Sequence, residues 1–121
     1  MEETLLDREG NAIAYLDFAD EKTIYLWDGT PVAYLENENR LYSFNGKHIG
    51  WYEDGVIWDL SGKKAGFNKK TVPVFAKFEP FKSFKKFKPF KSFTEFAKMK
   101  PLKSSNLSNE NLMAYLKKGE K

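Results

Sequence analysis

The chain of 121 residues contains no cysteine, so neither a disulfide nor a thiolate metal centre can staple it. That absence leaves the compartment open. A single histidine, His48, builds no His-rich metal site, and without cysteine there is no Cys/His nucleophile. No apolar run approaches the roughly 20 residues that a membrane-spanning helix needs. The opening MEETLLDREG is acidic and lacks the basic and apolar regions of a secretory leader. These absences set the expectation of a soluble, cytoplasmic protein without metal or cofactor. Acidic residues such as Glu9, Asp17, Asp28, Asp54 and Asp59 fall on turns and strand ends, with no spacing that marks a catalytic pair. No glycine-rich phosphate loop is present either, and the expectation is a non-enzymatic protein.

What is present is unevenly distributed. Residues 1–70 hold 8 Lys/Arg against 13 Asp/Glu, a balance of −5; residues 71–103 hold 9 Lys against 2 Glu, a balance of +7. The last 18 residues add +1, giving the net +3. An acidic domain is followed by a basic segment of separate purpose, one that an outside anion or the chain's own acidic domain could attract.

Four glycines, Gly10, Gly29, Gly46 and Gly62, anchor four similar stretches: LLDREGNAIAYL, IYLWDGTPVAYL, LYSFNGKHIGWY and IWDLSGKKAGF. Five residues before each glycine stands Leu5, Ile24, Leu41 or Ile57. Three after it stands Ile13, Val32, Ile49 or Ala65, then Ala14, Ala33, Gly50 or Gly66, then Tyr15, Tyr34, Trp51 or Phe67. Asp28-Gly29 and Asn45-Gly46 are strong hairpin signals, and two-residue type I′ loops are expected at all four glycines. That register pairs Leu5 with Ala14, Ile24 with Ala33, Leu41 with Gly50 and Ile57 with Gly66. On the opposite, aromatic face it pairs Leu6 with Ile13, Tyr25 with Val32, Tyr42 with Ile49 and Trp58 with Ala65. A lone hairpin is marginal in water, and both faces are apolar, so the four are expected to close into one all-β barrel with pseudo-four-fold symmetry.

The repeated [DNSE]-G-x-x-[IVA]-[AG]-[YWF] pattern resembles the four-fold beta flower family of small bacterial domains, over residues 4 to about 70. The resemblance implies a shallow antiparallel barrel with an apolar channel. It also implies a loose likeness to Tubby-type barrels, some of which bind membrane lipids. It carries over no activity and no catalytic residue.

Beyond the hairpins, a phenylalanine recurs at every third position: Phe75, Phe78, Phe81, Phe84, Phe87, Phe90, Phe93 and Phe96, then Met99 and Leu102. An α-helix would wind such a row around its surface; three residues per turn, as in polyproline II, keep it on one edge. Pro80, Pro89 and Pro101 also argue against a continuous helix. A candidate capping box, Ser92-Phe-Thr-Glu95, leaves room for a short helix near 93–100. At about 85 Å if fully polyproline II, the segment exceeds a 70-residue domain of about 11 Å radius of gyration and must wrap, enter the channel or project.

Three roles compete for this segment. In the first, its phenylalanines pack on the barrel and its lysines face water or the acidic domain, so that the tail completes the fold. In the second, Phe81, Lys82, Phe84, Lys85, Lys86, Phe87, Lys88, Phe90, Lys91 and Phe93 contact a lipid or an anionic membrane surface, making the protein peripheral at the membrane. In the third, the contact is a protein partner or a second copy. Nucleic acid is disfavoured, because the segment has no arginine and the preceding domain is acidic.

His48 is expected to be an ordinary residue paired with Ser43, and Asp59 to form an ion pair with Lys64. The end of the chain reads as a short helix with Ser108 as N-cap, a stripe of Leu112, Met113 and Leu116, and Lys117-Lys118 before Gly119. The organisation read is thus a barrel over 1–70, a Phe/Lys/Pro segment over 71–103 and a short helix within 104–121.

Overall fold

In a computed structural model, which describes residues 1–118, eight antiparallel strands form a closed barrel in sequence order. They are β1 (Glu2–Leu6), β2 (Ala12–Asp17), β3 (Thr23–Leu26), β4 (Pro31–Glu36), β5 (Arg40–Ser43), β6 (His48–Glu53), β7 (Val56–Asp59) and β8 (Lys64–Phe67). A single pair, Leu6 with Phe67, closes β1 on β8. One helix, α1 (Leu112–Lys117), follows, and Gly119 lies outside the described residues.

Each glycine-anchored hairpin has the inner pair that the repeat implies: Leu5–Ala14, Ile24–Ala33, Leu41–Gly50 and Ile57–Gly66. The loops differ from expectation. Each glycine donates its N–H to the carbonyl three residues back, as Gly29 does to Leu26 at 2.8 Å, and the next pair closes around three loop residues. Only the glycine has positive φ, +92° at Gly29, while Asp28 and Asn45 do not. This is a type I turn followed by a left-handed glycine, not a type I′ loop. The extra loop residue is compensated by a bulge, so the outer pairs become Leu6–Ala12, Tyr25–Pro31, Tyr42–His48 and Trp58–Lys64. His48 therefore faces Tyr42 rather than Ser43. Lys64 lies over the Trp58 ring, and Asp59 accepts instead from Ser108 and Ser61.

The bulge has a second effect. Ile13, Val32, Ile49 and Ala65 are the unpaired residues, and they join the inner cluster of Leu5, Leu16, Ile24, Leu41 and Ile57 rather than the aromatic face. A bulge lets consecutive residues point inward. Positive-φ pairs do occur, but in the connections at the other end of the barrel, at Glu21-Lys22, Glu38-Asn39 and Asp54-Gly55.

The interior is closed by α1. Asn111, not Ser108, is its N-cap, accepting from the Ala114 N–H at 2.8 Å. Leu112, Tyr115 and Leu116 are buried in the inner cluster; Tyr115 takes the place expected of Met113, and its hydroxyl donates to the Ile49 carbonyl. Gly66 is small where the helix arrives, since a methyl group there would run into Leu112, and a methyl group at Gly50 would strike first the Trp58 carbonyl and then the Tyr115 hydroxyl. The expected apolar channel is therefore filled by the chain's own helix.

Candidate interaction surface

The outer face of the barrel is aromatic, as the repeat implies. Tyr15 pairs with Tyr25, Tyr34 with Tyr42 and Trp51 with Trp58 across neighbouring hairpins, and the first two pairs stack at 5.6 and 6.2 Å between ring centroids. Phe67 packs with Val56 and Trp58. Carboxylates fringe these rings: Glu2, Asp17, Asp20 and Glu21 near the first two hairpins, Glu53 and Asp54 near the fourth.

Residues 71–103 contain no helix or strand and wrap this face as a strap, so the candidate helix near 93–100 does not form. The strap keeps a nine-residue register with the hairpins. The carbonyls of Phe75, Phe84, Phe93 and Leu102 abut Gly10, Gly29, Gly46 and Gly62 in turn. Two residues further on, Lys77, Lys86, Glu95 and Ser104 donate their N–H groups to the carbonyls of those same glycines, at 2.8–2.9 Å. Nine residues are three turns of a three-residue repeat, or about 28 Å of polyproline II. The same phase of the strap therefore returns at each quarter of the barrel.

With three residues per turn the strap has three edges. One carries the backbone donors, including Ser83 to the Trp27 carbonyl and Ser92 to the Phe44 carbonyl at 3.1 and 2.9 Å. The Pro80 and Glu95 carbonyls on that edge accept from the Trp27 indole and the Tyr42 hydroxyl.

A second edge carries the lysines, which turn inward. Lys82 pairs with Glu2 and lies over Tyr15 at 4.4 Å; Lys85 pairs with Asp17 and lies over Tyr25 at 5.0 Å. Lys88 bridges Asp20 and Glu21 at 2.8 and 2.6 Å, and Lys91 lies over Tyr34 at 4.2 Å. Lys100 and Lys103 both reach Glu53, and Lys103 also lies over Trp58 at 5.1 Å. Lys86, on the donor edge, is 3.9 Å from Asp28. These contacts hold the Asp17 and Asp20 carboxyls below the usual range, chiefly by hydrogen bonds from Lys85 and Lys88, whose ammonium groups are raised in turn.

The third edge is the apolar row, and it faces away. Phe75, Phe78, Phe81, Phe84, Phe87, Phe90, Phe93, Phe96, Met99 and Leu102 are each at least 92% exposed. Of the first role considered, the lysines do meet the acidic domain, but the phenylalanines face outward instead of packing on the barrel. The physical reason lies in the barrel's outer face, which offers rings fringed by carboxylates. A lysine covers the ring with its methylenes and pairs its ammonium, whereas a phenylalanine would leave the carboxylate without its partner.

The sequence profile of the 4-fold beta flower protein family matches residues 3–116. The chain belongs to this family. No match was found among curated proteins or among solved structures. The match runs through the strap and α1, so this beta flower is barrel, strap and helix together.

Of the residues singled out for partner contact, Phe81, Phe84, Phe87, Phe90 and Phe93 share the outward edge, whereas Lys82, Lys85, Lys88 and Lys91 face the barrel. Sequence reasoning missed the docking role of the four turn glycines, the lysine partners Glu2, Asp20 and Glu53, and His48. Buried at 1% exposure, His48 receives the Lys98 N–H on Nδ1 at 2.9 Å, so its proton sits on Nε2, which donates to the Gly50 carbonyl at 3.0 Å. A second period of nine, seen in Lys82/Lys91, Pro80/Pro89 and Ser83/Ser92, was the available signal for the register. Among the described residues no group of acidic and histidine side chains could hold a metal ion. No described helix is long and apolar enough to cross a membrane.

Proposed function

We propose that this beta flower is a peripheral membrane-binding module that inserts its outward phenylalanine row into the bilayer interface. The observation that carries the reading is the full exposure of the row while the strap's backbone and lysines are bound to the barrel. Three consecutive phenylalanines along one quarter of the barrel, at about 150–250 Å² each, already reach or exceed the few hundred Å² that a monomeric soluble protein leaves in one apolar patch. The lysines are largely engaged by barrel carboxylates, so insertion, more than attraction to anionic lipid, supplies the binding energy. The filled interior removes the barrel channel from the proposal.

Co-sedimentation of the full chain with phosphatidylcholine vesicles, alone and with phosphatidylserine, tests it. The expected result is binding to both, with modest enhancement by the anionic lipid, and loss of at least tenfold in the triple variant Phe78→Ser, Phe81→Ser, Phe84→Ser. A chain that ignores both vesicles, or a triple variant that binds like the parent, overturns the reading. Self-association through the same row would appear as a concentration-dependent mass in the absence of vesicles.

A further inference from the structure

The third hairpin grips the strap differently from the others. Besides the Glu95 N–H on the Gly46 carbonyl, the Glu95 carboxylate accepts the His48 backbone N–H at 2.8 Å, and the Tyr42 hydroxyl donates to the Glu95 carbonyl at 3.1 Å. The Lys98 N–H, one turn further along the donor edge, ends on a side chain: His48 Nδ1. A backbone amide held by an imidazole lone pair exists only while that imidazole is neutral.

We propose that His48 is an acid-sensitive latch that holds strap residues 95–99 to the third hairpin when neutral and releases them when protonated. A proton on Nδ1 sets N–H against the Lys98 N–H, donor against donor. The cation would also be nearly sealed from water, edge-on to the Trp51 ring at 4.6 Å and beside the Tyr42 ring at 5.2 Å. The charged groups facing it are Arg40 from β5 and Lys98 from the strap, both unfavourable to an imidazolium, and Glu95, which favours it.

Burial, the largest influence, pushes the imidazole below its ordinary value. The latch is therefore fully closed above the unfolded value of about 6.5 and opens as pH falls through the lower folded value. Glu95 is itself held below the usual carboxylate range, mainly by the His48 N–H. Opening would free Phe96 and Met99 from their fixed register. That consequence rests on the membrane reading; the latch itself does not.

Because His48 is the only histidine, its ring resonances report one titration in the intact protein. Amide exchange of Lys98 and Lys86, read by NMR between pH 7.5 and 4.5, tests the latch, Lys86 being bonded to the Gly29 carbonyl with no imidazole involved. The Lys98 protection factor should fall by up to about tenfold per pH unit as pH drops from about 6.5 to the His48 midpoint and level off below it, while that of Lys86 stays level. In His48→Asn, whose side-chain oxygen accepts a hydrogen bond without titrating, Lys98 should show no such fall. Constant Lys98 protection while the ring titrates, or a parallel fall at Lys86, overturns the proposal; should the variant not fold, the two amides of the parent chain decide alone. A Lys98 response without vesicle binding at any pH would uphold the latch and remove the membrane reading.

Discussion

Gly29 meets two independent demands. Its φ of +92° closes the second turn, and its bare Cα admits the Phe84 carbonyl, which a Cβ would strike. Left-handed strain at a non-glycine residue costs about 1–3 kcal/mol, and here backbone must also move aside. Gly29→Ala should therefore lower stability by about that amount or more, measured by denaturant unfolding. Phe84→Ser makes an instructive contrast. Its side chain is fully exposed, and surface substitutions usually fall within about 0.5 kcal/mol; a loss above 1 kcal/mol would show that the phenylalanine row supports the fold. The turn at Asp28-Gly29 was readable from two adjacent letters. The second demand was not, because the atom that makes it belongs to a distant part of the chain.

At the scale of elements, α1 shows how tertiary context overrides length. Six residues with one capping side chain form no stable helix in water; the burial of Leu112, Tyr115 and Leu116 inside the barrel holds it. Leu116→Ala should cost about 2–5 kcal/mol, readable as a lowered denaturation midpoint, and a change below 1 kcal/mol would mean that the helix is not part of the core. The inner hairpin pairs were legible because small residues recur opposite large ones. The bulges were not, since Ile13, Val32, Ile49 and Ala65 are as apolar on one face as on the other. The strap shows the same limit. Period 3 states which residues share an edge, but only Glu2, Asp17, Asp20 and Glu53, set on the barrel by the other strands, decide which edge faces inward.

For the molecule as a whole, an acidic barrel and a basic strap become one unit through contacts that depend on pH. Lys85 and Lys88 of the strap hold the carboxyls of Asp17 and Asp20 low, Lys69 ahead of the strap does the same for the strap's Glu79, and Glu53 is held low by Lys100 and Lys103 despite its burial. A carboxylate depressed in the fold stabilises it fully above the unfolded value near 4, and that contribution disappears as pH falls through the folded value. Strap release should therefore proceed below about pH 4. Trp27 reports it, since its indole N–H donates to the Pro80 carbonyl at 2.9 Å and Lys82 lies over its ring. Tryptophan fluorescence should change in this acid range, and 1 M salt, with a screening length of about 3 Å, should make the change begin at higher pH. An unchanged spectrum down to pH 2 would mean that hydrogen bonds to the turn glycines and stacking over the rings hold the strap without its ion pairs. Such bonds require no charge, whereas the charged partners explain why lysine rather than phenylalanine faces the barrel, so the acid transition and the outward direction of the row stand on the same carboxylates.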